Sequence, residues 1–431
     1  MATVHPRQLW LEKPFDRYTT PELQHLVLRW KSVRTGWVAN QLTTPLCQQQ
    51  HFLSEQSAPY ISCMFLVEGG RWLLVGTQDG AIQYYDLNAD NISATTLIPS
   101  LFGGHRTDVR ISVDMDASAE SLTFHLAIML RVQGHDDHEY HHSTHVRWIQ
   151  VWQITSDIDF DGRVVLKSEL KSSFPEEYGP TCLSFRLRGQ QVAYCLFFSD
   201  QAGPLITGHQ IIVVDWSACN TTSIHYTRKI ISTKGTVSDL CRLLLLDLIL
   251  MYIQWLALLP HDRLLCYTDV EFILYDLIDA PTTTLPSEHR QYYSPTASLF
   301  IHVRAISQPY FLPDSTRLTF LTMNGVKGIM IANLGDPGLE PIDLLSGDFL
   351  GRLICMGYNF AAMINFWPAI TILHYAWPEE SPHSSFFKHT ISQQKHFSNP
   401  ILLIDSSSAR VVIVGSRKQY YVLGPHNFLF T

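Results

Sequence analysis

The sequence predicts an all-β protein made of repeated antiparallel sheets, and three observations support this fold class. First, apolar runs at residues 72–75 and 81–87 flank Gln78-Asp79-Gly80, where Asp and Gly favour the tight turn of a β-hairpin. Second, similar short apolar runs recur in groups as far as the C-terminus. Third, aromatic residues make up 12% of the chain and no helical pattern alternates with the runs, which argues against a parallel α/β sheet.

The hairpin belongs to a three-strand unit, because another apolar run over residues 61–67 precedes it and ends in a glycine pair. Six further units follow. They cover residues 101–109, 122–132 and 145–154; 181–187, 191–198 and 210–216; 255–259, 263–268 and 270–277; 310–312, 317–323 and 326–334; 352–377; and 401–405, 410–415 and 419–423.

The units resemble one another in sequence. Residues 82–87 match residues 272–277, and residues 211–216 are a looser copy. If one unit lies between Asp86 and Asp215, the repeat is about 60 to 65 residues long, which exceeds the ~40–45 of compact propeller repeats. Longer loops account for the difference. Regular short-strand units that cannot bury their faces alone predict a β-propeller of about seven blades.

The chain before these units predicts a short α-helical segment. Thr20 is expected to cap the helix, Pro21 to occupy its first position and Glu22 to lie near its positive end. Apolar residues then share one helix face up to an end near residues 34–36: Leu23, Leu26, Val27 and Trp30. We therefore divide the chain into a helical segment (1–47), a linker (48–59) and a propeller-like domain (60–431).

Composition narrows the function classes. The 431-residue chain has a formal net charge of -8, so neither nucleic acid nor a membrane surface is an expected partner. Its eight cysteines form no C-x-x-C pair and lie mostly in apolar runs, which indicates a reducing compartment without a disulfide framework. The first ten residues lack the apolar core of a signal peptide. We expect an intracellular protein, in the cytoplasm or nucleus.

Residues 243–259 depart from the repeat, because they are apolar apart from Asp247 and Gln254. Their length is at the lower limit of a membrane span. However, a central Asp costs roughly 2.5–3.5 kcal/mol on insertion scales. Two other interpretations are a buried strand joined to extra apolar sequence, or an intron translated as residues 241–254. Omitting those residues joins residue 240 to Trp255 and restores a three-run unit.

Two stretches resemble a known family. Residues 11–30, continued by Gly36-Trp37, resemble the segment that follows the F-box in fungal F-box proteins. Residues 69–77, together with 84–87, resemble the first blade of the propeller-like region of that family, and residues 101–109 resemble the Gly-His start of a WD40 repeat. The resemblance implies a WD40-like β-propeller that acts as the substrate receptor of an SCF-type ubiquitin ligase.

The same resemblance implies two partners, a protein substrate and a Skp1-like adaptor. The F-box docks that adaptor, and it would precede residue 11. Only ten residues stand there, so we expect the F-box to be truncated. The identity of the protein substrate is not encoded in any motif that we find.

The densest group of potential metal ligands lies in residues 134–145, which also contain three carboxylates. Its histidines are His135, His138, His141, His142 and His145. We interpret the segment as a solvated hairpin tip and assign no metal, because a catalytic metal needs rigidly held ligands. The alternative is a metal-dependent propeller hydrolase that uses residues 135–145.

Other catalytic signatures are lacking, since the sequence has no phosphate-binding loop, no G-x-S-x-G and no H-E-x-x-H. Asp86 is expected to bond backbone in a blade turn, and His105 to tie a loop to its blade. We assign no catalytic residue and no cofactor. The sequence thus predicts a non-enzymatic protein-interaction scaffold, with the hydrolase or a non-functional truncated paralogue as alternatives.

Overall fold

The computed structural model describes all seven predicted units. The described residues are 10–24, 26–27, 47–52, 61–89, 92–102, 106–132, 147–176, 181–199, 207–219, 226–234, 254–268, 270–284, 293–335, 337–349, 353–364, 369–379, 388–392, 401–405, 407–408, 410–414 and 419–424.

The N-terminal segment contains the predicted helix, but its cap is one residue earlier than expected. After a 3₁₀ turn, Phe15–Arg17, residues 20–24 and 26–27 are helical. Thr19 caps the helix, because its backbone N–H donates to the Glu22 carboxylate at 2.7 Å and the Glu22 N–H donates to its hydroxyl at 3.4 Å. This reciprocal pair needs a three-residue spacing, which Thr20 cannot supply. Val27, predicted on the apolar face, is 48% exposed. The predicted helix end and Trp30 lie outside the described residues.

The strands of the described residues form seven antiparallel sheets. Strand β1 is Cys47–Phe52, and the first sheet holds β2 (Ile61–Leu66), β3 (Trp72–Thr77), β4 (Ile82–Asp86) and β5 (Thr95–Ile98). The second holds β6 (Thr107–Met115), β7 (Thr123–Val132), β8 (Arg147–Ile158) and β9 (Val164–Glu176). The third holds β10 (Thr181–Arg188), β11 (Gln191–Ser199), β12 (Thr207–Asp215) and, after a 3₁₀ turn at Trp216–Ala218, β13 (Arg228–Lys234).

The remaining sheets repeat this order. The fourth holds β14 (Trp255–Leu259), β15 (Arg263–Tyr267), β16 (Glu271–Asp276) and β18 (Ala297–Phe300), while β17 (Thr282–Thr283) extends the third. The fifth holds β19 (Ala305–Ile306), β20 (Tyr310–Phe311), β21 (Ser315–Thr322), β22 (Gly325–Ala332) and β23 (Pro341–Ser346). The sixth holds β24 (Leu353–Met356), β25 (Phe360–Ile364), β26 (Ala369–His374) and β27 (Lys388–Ser392), and the seventh holds β28 (Ile401–Asp405), β29 (Arg410–Val414) and β30 (Gln419–Gly424).

Strand β1 completes the seventh sheet by pairing antiparallel with β30, from Cys47 opposite Gly424 to Phe52 opposite Gln419. The two ends of the chain therefore share one sheet. The linker predicted over residues 48–59 is corrected accordingly, because its first five residues belong to this strand. The polar sequence of β1 did not predict a strand, because β1 is the edge strand of its sheet and is held there by its backbone hydrogen bonds to β30.

The sheets pack face to face in a ring. Six hydrophobic clusters of the described residues each combine side chains from two neighbouring sheets. The first strands also contact one another around the ring, including β2 with β6, β6 with β10, β10 with β14 and β28 with β2. The protein is thus a β-propeller with seven blades, and the predicted all-β fold is confirmed. No blade can bury both of its apolar faces alone, so closure of the ring stabilises all of them.

The repeat seen in the sequence corresponds to equivalent corners of the blades. Asp86, Asp215 and Asp276 each end the third strand of a blade. Each carboxylate accepts a hydrogen bond from the backbone N–H two residues further on, at 2.9, 3.0 and 2.9 Å respectively. The second sheet lies between Asp86 and Asp215, as the repeat length predicted. The structural role assigned to Asp86 is therefore confirmed.

The N-terminal segment packs on the first two sheets. The backbone N–H of Leu122 donates to the carbonyl of Leu11 at 2.5 Å, and the indole N–H of Trp10 donates to Glu68 at 3.0 Å. Arg71 forms ion pairs with Glu12 and, at 2.6 Å, with Asp86. These contacts fix the start of the described chain on the side of the ring opposite the start of the first strands.

The apolar stretch 241–254 lies outside the described residues, apart from Gln254. Trp255 to Leu259 that follow it form the buried strand β14. Among the residues that the structure covers, no helix has the length and apolarity needed to cross a membrane.

Candidate functional site

The five histidines proposed as weak metal candidates, His135, His138, His141, His142 and His145, lie outside the described residues, as does His105. The five histidines of residues 135–145 belong to the segment between β7 and β8. Within the described ranges, no three His, Cys, Asp or Glu side chains come close enough to hold a metal ion. The metal site therefore stays a prediction.

Four charged residues form a row across the second blade at the base of this segment. Asp108 lies opposite Arg131, Arg131 opposite Arg147, and Arg147 opposite Glu176 in the antiparallel register. Directly opposed residues of neighbouring strands share one face of a sheet. The row lies where β6 and β8 begin and where β7 and β9 end. We call this side of the ring, on which the first strand of each blade begins, the upper face.

A small pocket opens beside this row, between the second and third blades. Its volume is about 20 Å³, and its walls are formed by Asp108, Arg110, Met129, Arg131, Arg147 and Cys182. A single water needs roughly 10–15 Å³, so the pocket accepts a small polar group. Three guanidinium groups thus converge on a space next to one carboxylate.

The pocket is held by contacts between its two blades. The Arg110 guanidinium donates to the carbonyl of Leu183 in β10 at 3.1 Å and lies 4.0 Å from the Asp108 carboxylate. Arg147 is only 2% exposed. Burial lowers the pKa of Arg147, and the like charge of Arg131 adds to this effect. Burial also raises the pKa of the Cys182 thiol, so the neutral thiol is favoured.

A buried polar network lies behind the pocket and joins the same two blades. The Glu176 carboxylate is fully buried and accepts hydrogen bonds from the hydroxyls of Tyr194 and, at 2.5 Å, Tyr226. Its Oε2 lies 3.5 Å from Nε of Arg228, whose guanidinium stacks over the Tyr226 ring at 3.9 Å. Burial raises the pKa of Glu176, and Arg228 and the two hydroxyls oppose this shift. The network fixes the strand ends that carry the pocket.

The arginines of the pocket were not singled out from the sequence, although a signal was present. Arg110, Arg131 and Arg147 are cationic residues in or at the end of apolar strand runs, near the histidine-rich segment. A charged residue in a buried strand requires a partner or a function. The sequence could not show that three of them meet, because this depends on the register of three strands.

The fold and the pocket define the class of protein: a seven-bladed β-propeller with a polar pocket on its upper face. No protein-family profile matches the chain, and no curated protein matches it. Among solved structures, it is similar to the β-propeller domain of Cps50 (Swd1) from Myceliophteria thermophila, with a TM-score of 0.48 and 13% identity over 87% of this chain and 99% of that one. It is also similar to U3-55K, with a TM-score of 0.41 and 8% identity over 88% of this chain and 98% of that one. These similarities carry no argument about function.

Proposed function

We propose that this chain is a non-enzymatic scaffold that binds a protein partner through the upper face of its propeller. The observation that carries the proposal is the polar pocket between the second and third blades, which lies on a rigid ring rather than on a loop. Binding residues gather where connecting segments border such a scaffold. The connections 133–146, 200–206 and 235–253 join strand ends on this face.

The N-terminal resemblance refines this proposal. The resemblance of residues 11–30 and Gly36-Trp37 to the segment that follows the F-box favours the substrate receptor of an SCF-type ubiquitin ligase, with a Skp1-like adaptor as a second partner and an intracellular location. The structure places residues 10–24 against the first two blades on the lower side, opposite the pocket. An adaptor held there would leave the upper face open for a substrate.

Co-purification followed by hydrogen exchange tests the scaffold. The tagged full chain should retain a stable partner, and partner binding should slow amide exchange in residues 106–110 and 129–132. The turn at residues 159–163, on the lower face of the same blade, serves as the internal control and should not change. Failure to recover any stable partner would refute the scaffold, and protection confined to residues 159–163 would refute the upper face.

The ligase proposal needs a separate measurement. A purified Skp1-like adaptor should bind the full chain in a pull-down, and the binding should persist when the pocket arginines are replaced. Absence of adaptor binding would refute the ligase proposal and leave the upper-face scaffold unaffected.

A further inference from the structure

Arg131 is the residue of the pocket whose side chain is not used in a structural ion pair among the described residues. Its partly buried side chain lines the pocket, between Asp108 and Arg147 in the cross-strand row. In the part of the chain that the structure describes, the Arg131 side chain forms no hydrogen bond and no ion pair. A guanidinium carries five N–H donors in a planar fork, and these donors stabilise a structure or a complex only when acceptors pair with them.

The charges around the pocket are unbalanced. Among the described residues that line the pocket, three guanidinium groups, those of Arg110, Arg131 and Arg147, surround one carboxylate, that of Asp108, and Glu176 is the next carboxylate behind it. One of these carboxylates, Glu176, is fully buried behind the pocket and already accepts two tyrosine hydroxyls. Excess positive charge with reduced access to water favours an anion. The chain as a whole has a net charge of -8, so this attraction is local.

The size of the space and the guanidinium groups that line it indicate the kind of anion. A volume of about 20 Å³ takes one small group. A carboxylate is planar and pairs with a guanidinium through two parallel hydrogen bonds. Arg110 and Arg131 come from adjacent strands and both line the space, so two guanidinium groups are available to such a group.

We propose that this pocket binds the carboxylate of an acidic side chain that a peptide segment of the protein partner presents to the upper face. This inference rests on the proposed function and specifies the chemistry of the partner. Arg131 and Arg110 contact the carboxylate, whereas buried Arg147 adds positive charge to the wall of the pocket. Binding forms no covalent bond and transfers no proton.

A fluorescence anisotropy titration of the full chain with labelled hexaglutamate tests the proposal. Hexaglutamate should bind at low ionic strength and hexaglutamine should not. The variant Arg131→Gln should bind hexaglutamate at least about tenfold more weakly, because charge-assisted bidentate hydrogen bonds are lost. Arg131→Lys should fall between Arg131→Gln and the wild type, since it keeps the charge and loses the fork.

The matched control is Arg163→Gln, which removes one exposed positive charge from the lower face of the same blade. Its affinity for hexaglutamate should stay at the wild-type value. Arg131→Gln should keep the wild-type urea midpoint, because the Arg131 side chain makes no described hydrogen bond. Arg110→Gln is the second variant and should also weaken binding. Equal losses in the Arg131 and Arg163 variants, or no loss in the Arg131 and Arg110 variants, would overturn the proposal.

Competition identifies the anion. Succinate and sulfate carry the same charge near neutral pH, and succinate should displace hexaglutamate at the lower concentration. Displacement by sulfate alone would mean a tetrahedral anion site and would overturn the carboxylate. If a partner recovered with the wild type binds Arg131→Gln equally well, the carboxylate pocket is refuted while the scaffold stands. Failure to recover a partner removes the scaffold and leaves the peptide titration as a direct measure of the pocket.

Discussion

Replacing Gly328 by Ala tests how tightly the fifth and sixth blades pack. Gly328 lies in β22, where its backbone is not in the left-handed region, so an alanine adds no backbone strain. The added Cβ would lie 2.5 Å from Cη2 and 2.8 Å from Cζ3 of Trp377, and 3.2 Å from Cδ1 of Leu344. Carbon atoms attract optimally at about 3.5–4.0 Å, so either the indole or the strand must move.

The indole cannot move without further losses. Trp377 is completely buried, its N–H donates to the carbonyl of Tyr358 at 3.3 Å, and the Arg317 guanidinium stacks over its ring at 4.8 Å. Overpacking of a well-packed core typically costs about 1–3 kcal/mol. We therefore expect Gly328→Ala to lower the free energy of unfolding by about 1–3 kcal/mol, although alanine is otherwise preferred over glycine in a strand.

Urea unfolding followed by tryptophan fluorescence measures this change as a shift of the midpoint at constant slope. Gly338→Ala is the matched control, because its Cβ would meet no atom within 4 Å, and it should stay within about 0.5 kcal/mol of the wild type. Trp377→Phe in the Gly328→Ala background should restore space, giving a coupling energy of about 1 kcal/mol or more. Equal stability of the two alanine variants, or additive effects of Gly328→Ala and Trp377→Phe, would refute the packing argument.

Two further predictions concern the polar network and the closure of the ring. Because burial raises the folded-state pKa of Glu176 above the unfolded value of about 4.3, the folded protein retains this proton to higher pH. The stability of the wild type relative to Glu176→Gln should therefore be highest below pH ~4.3 and should fall as the pH rises through the folded-state pKa. Urea titrations at several pH values measure this stability difference, and a difference that stays constant or rises with pH would contradict the prediction. Deleting residues 1–52 removes β1 from the seventh blade. That blade should then no longer unfold cooperatively with the others, and residues 401–424 should become sensitive to protease. Unchanged proteolysis of residues 401–424 would contradict ring closure through β1.

The polar sequence of β1 shows where local patterns stop being informative. The apolar runs of β3, β4 and β16 predict their own strands, because alternating or continuous burial within a sheet leaves a pattern in the sequence. Cys47–Phe52 contains mostly Gln and His, and it becomes a strand only because β30, more than 360 residues later, offers a free edge. A window of neighbouring residues contains no information about such a pairing.

The cap of the N-terminal helix shows a smaller error of the same kind. Thr19 and Thr20 are chemically identical candidates, and the choice between them depends on which hydroxyl and backbone N–H can exchange hydrogen bonds with Glu22. The motif Thr-x-x-Glu, with Thr and Glu three positions apart, was visible in the sequence and gives the correct cap once both partners of the capping box are considered.

The all-β class, the repeated unit and the structural role of Asp86 could be predicted from the sequence, because each depends on residues close together in the chain. The strand that closes the ring, and the meeting of Arg110, Arg131 and Arg147 beside Cys182 of the next blade, could be seen only in the folded chain. These features depend on the register between strands and on the packing of one sheet against another. Both are set by the burial of whole faces, which no single segment of the chain encodes.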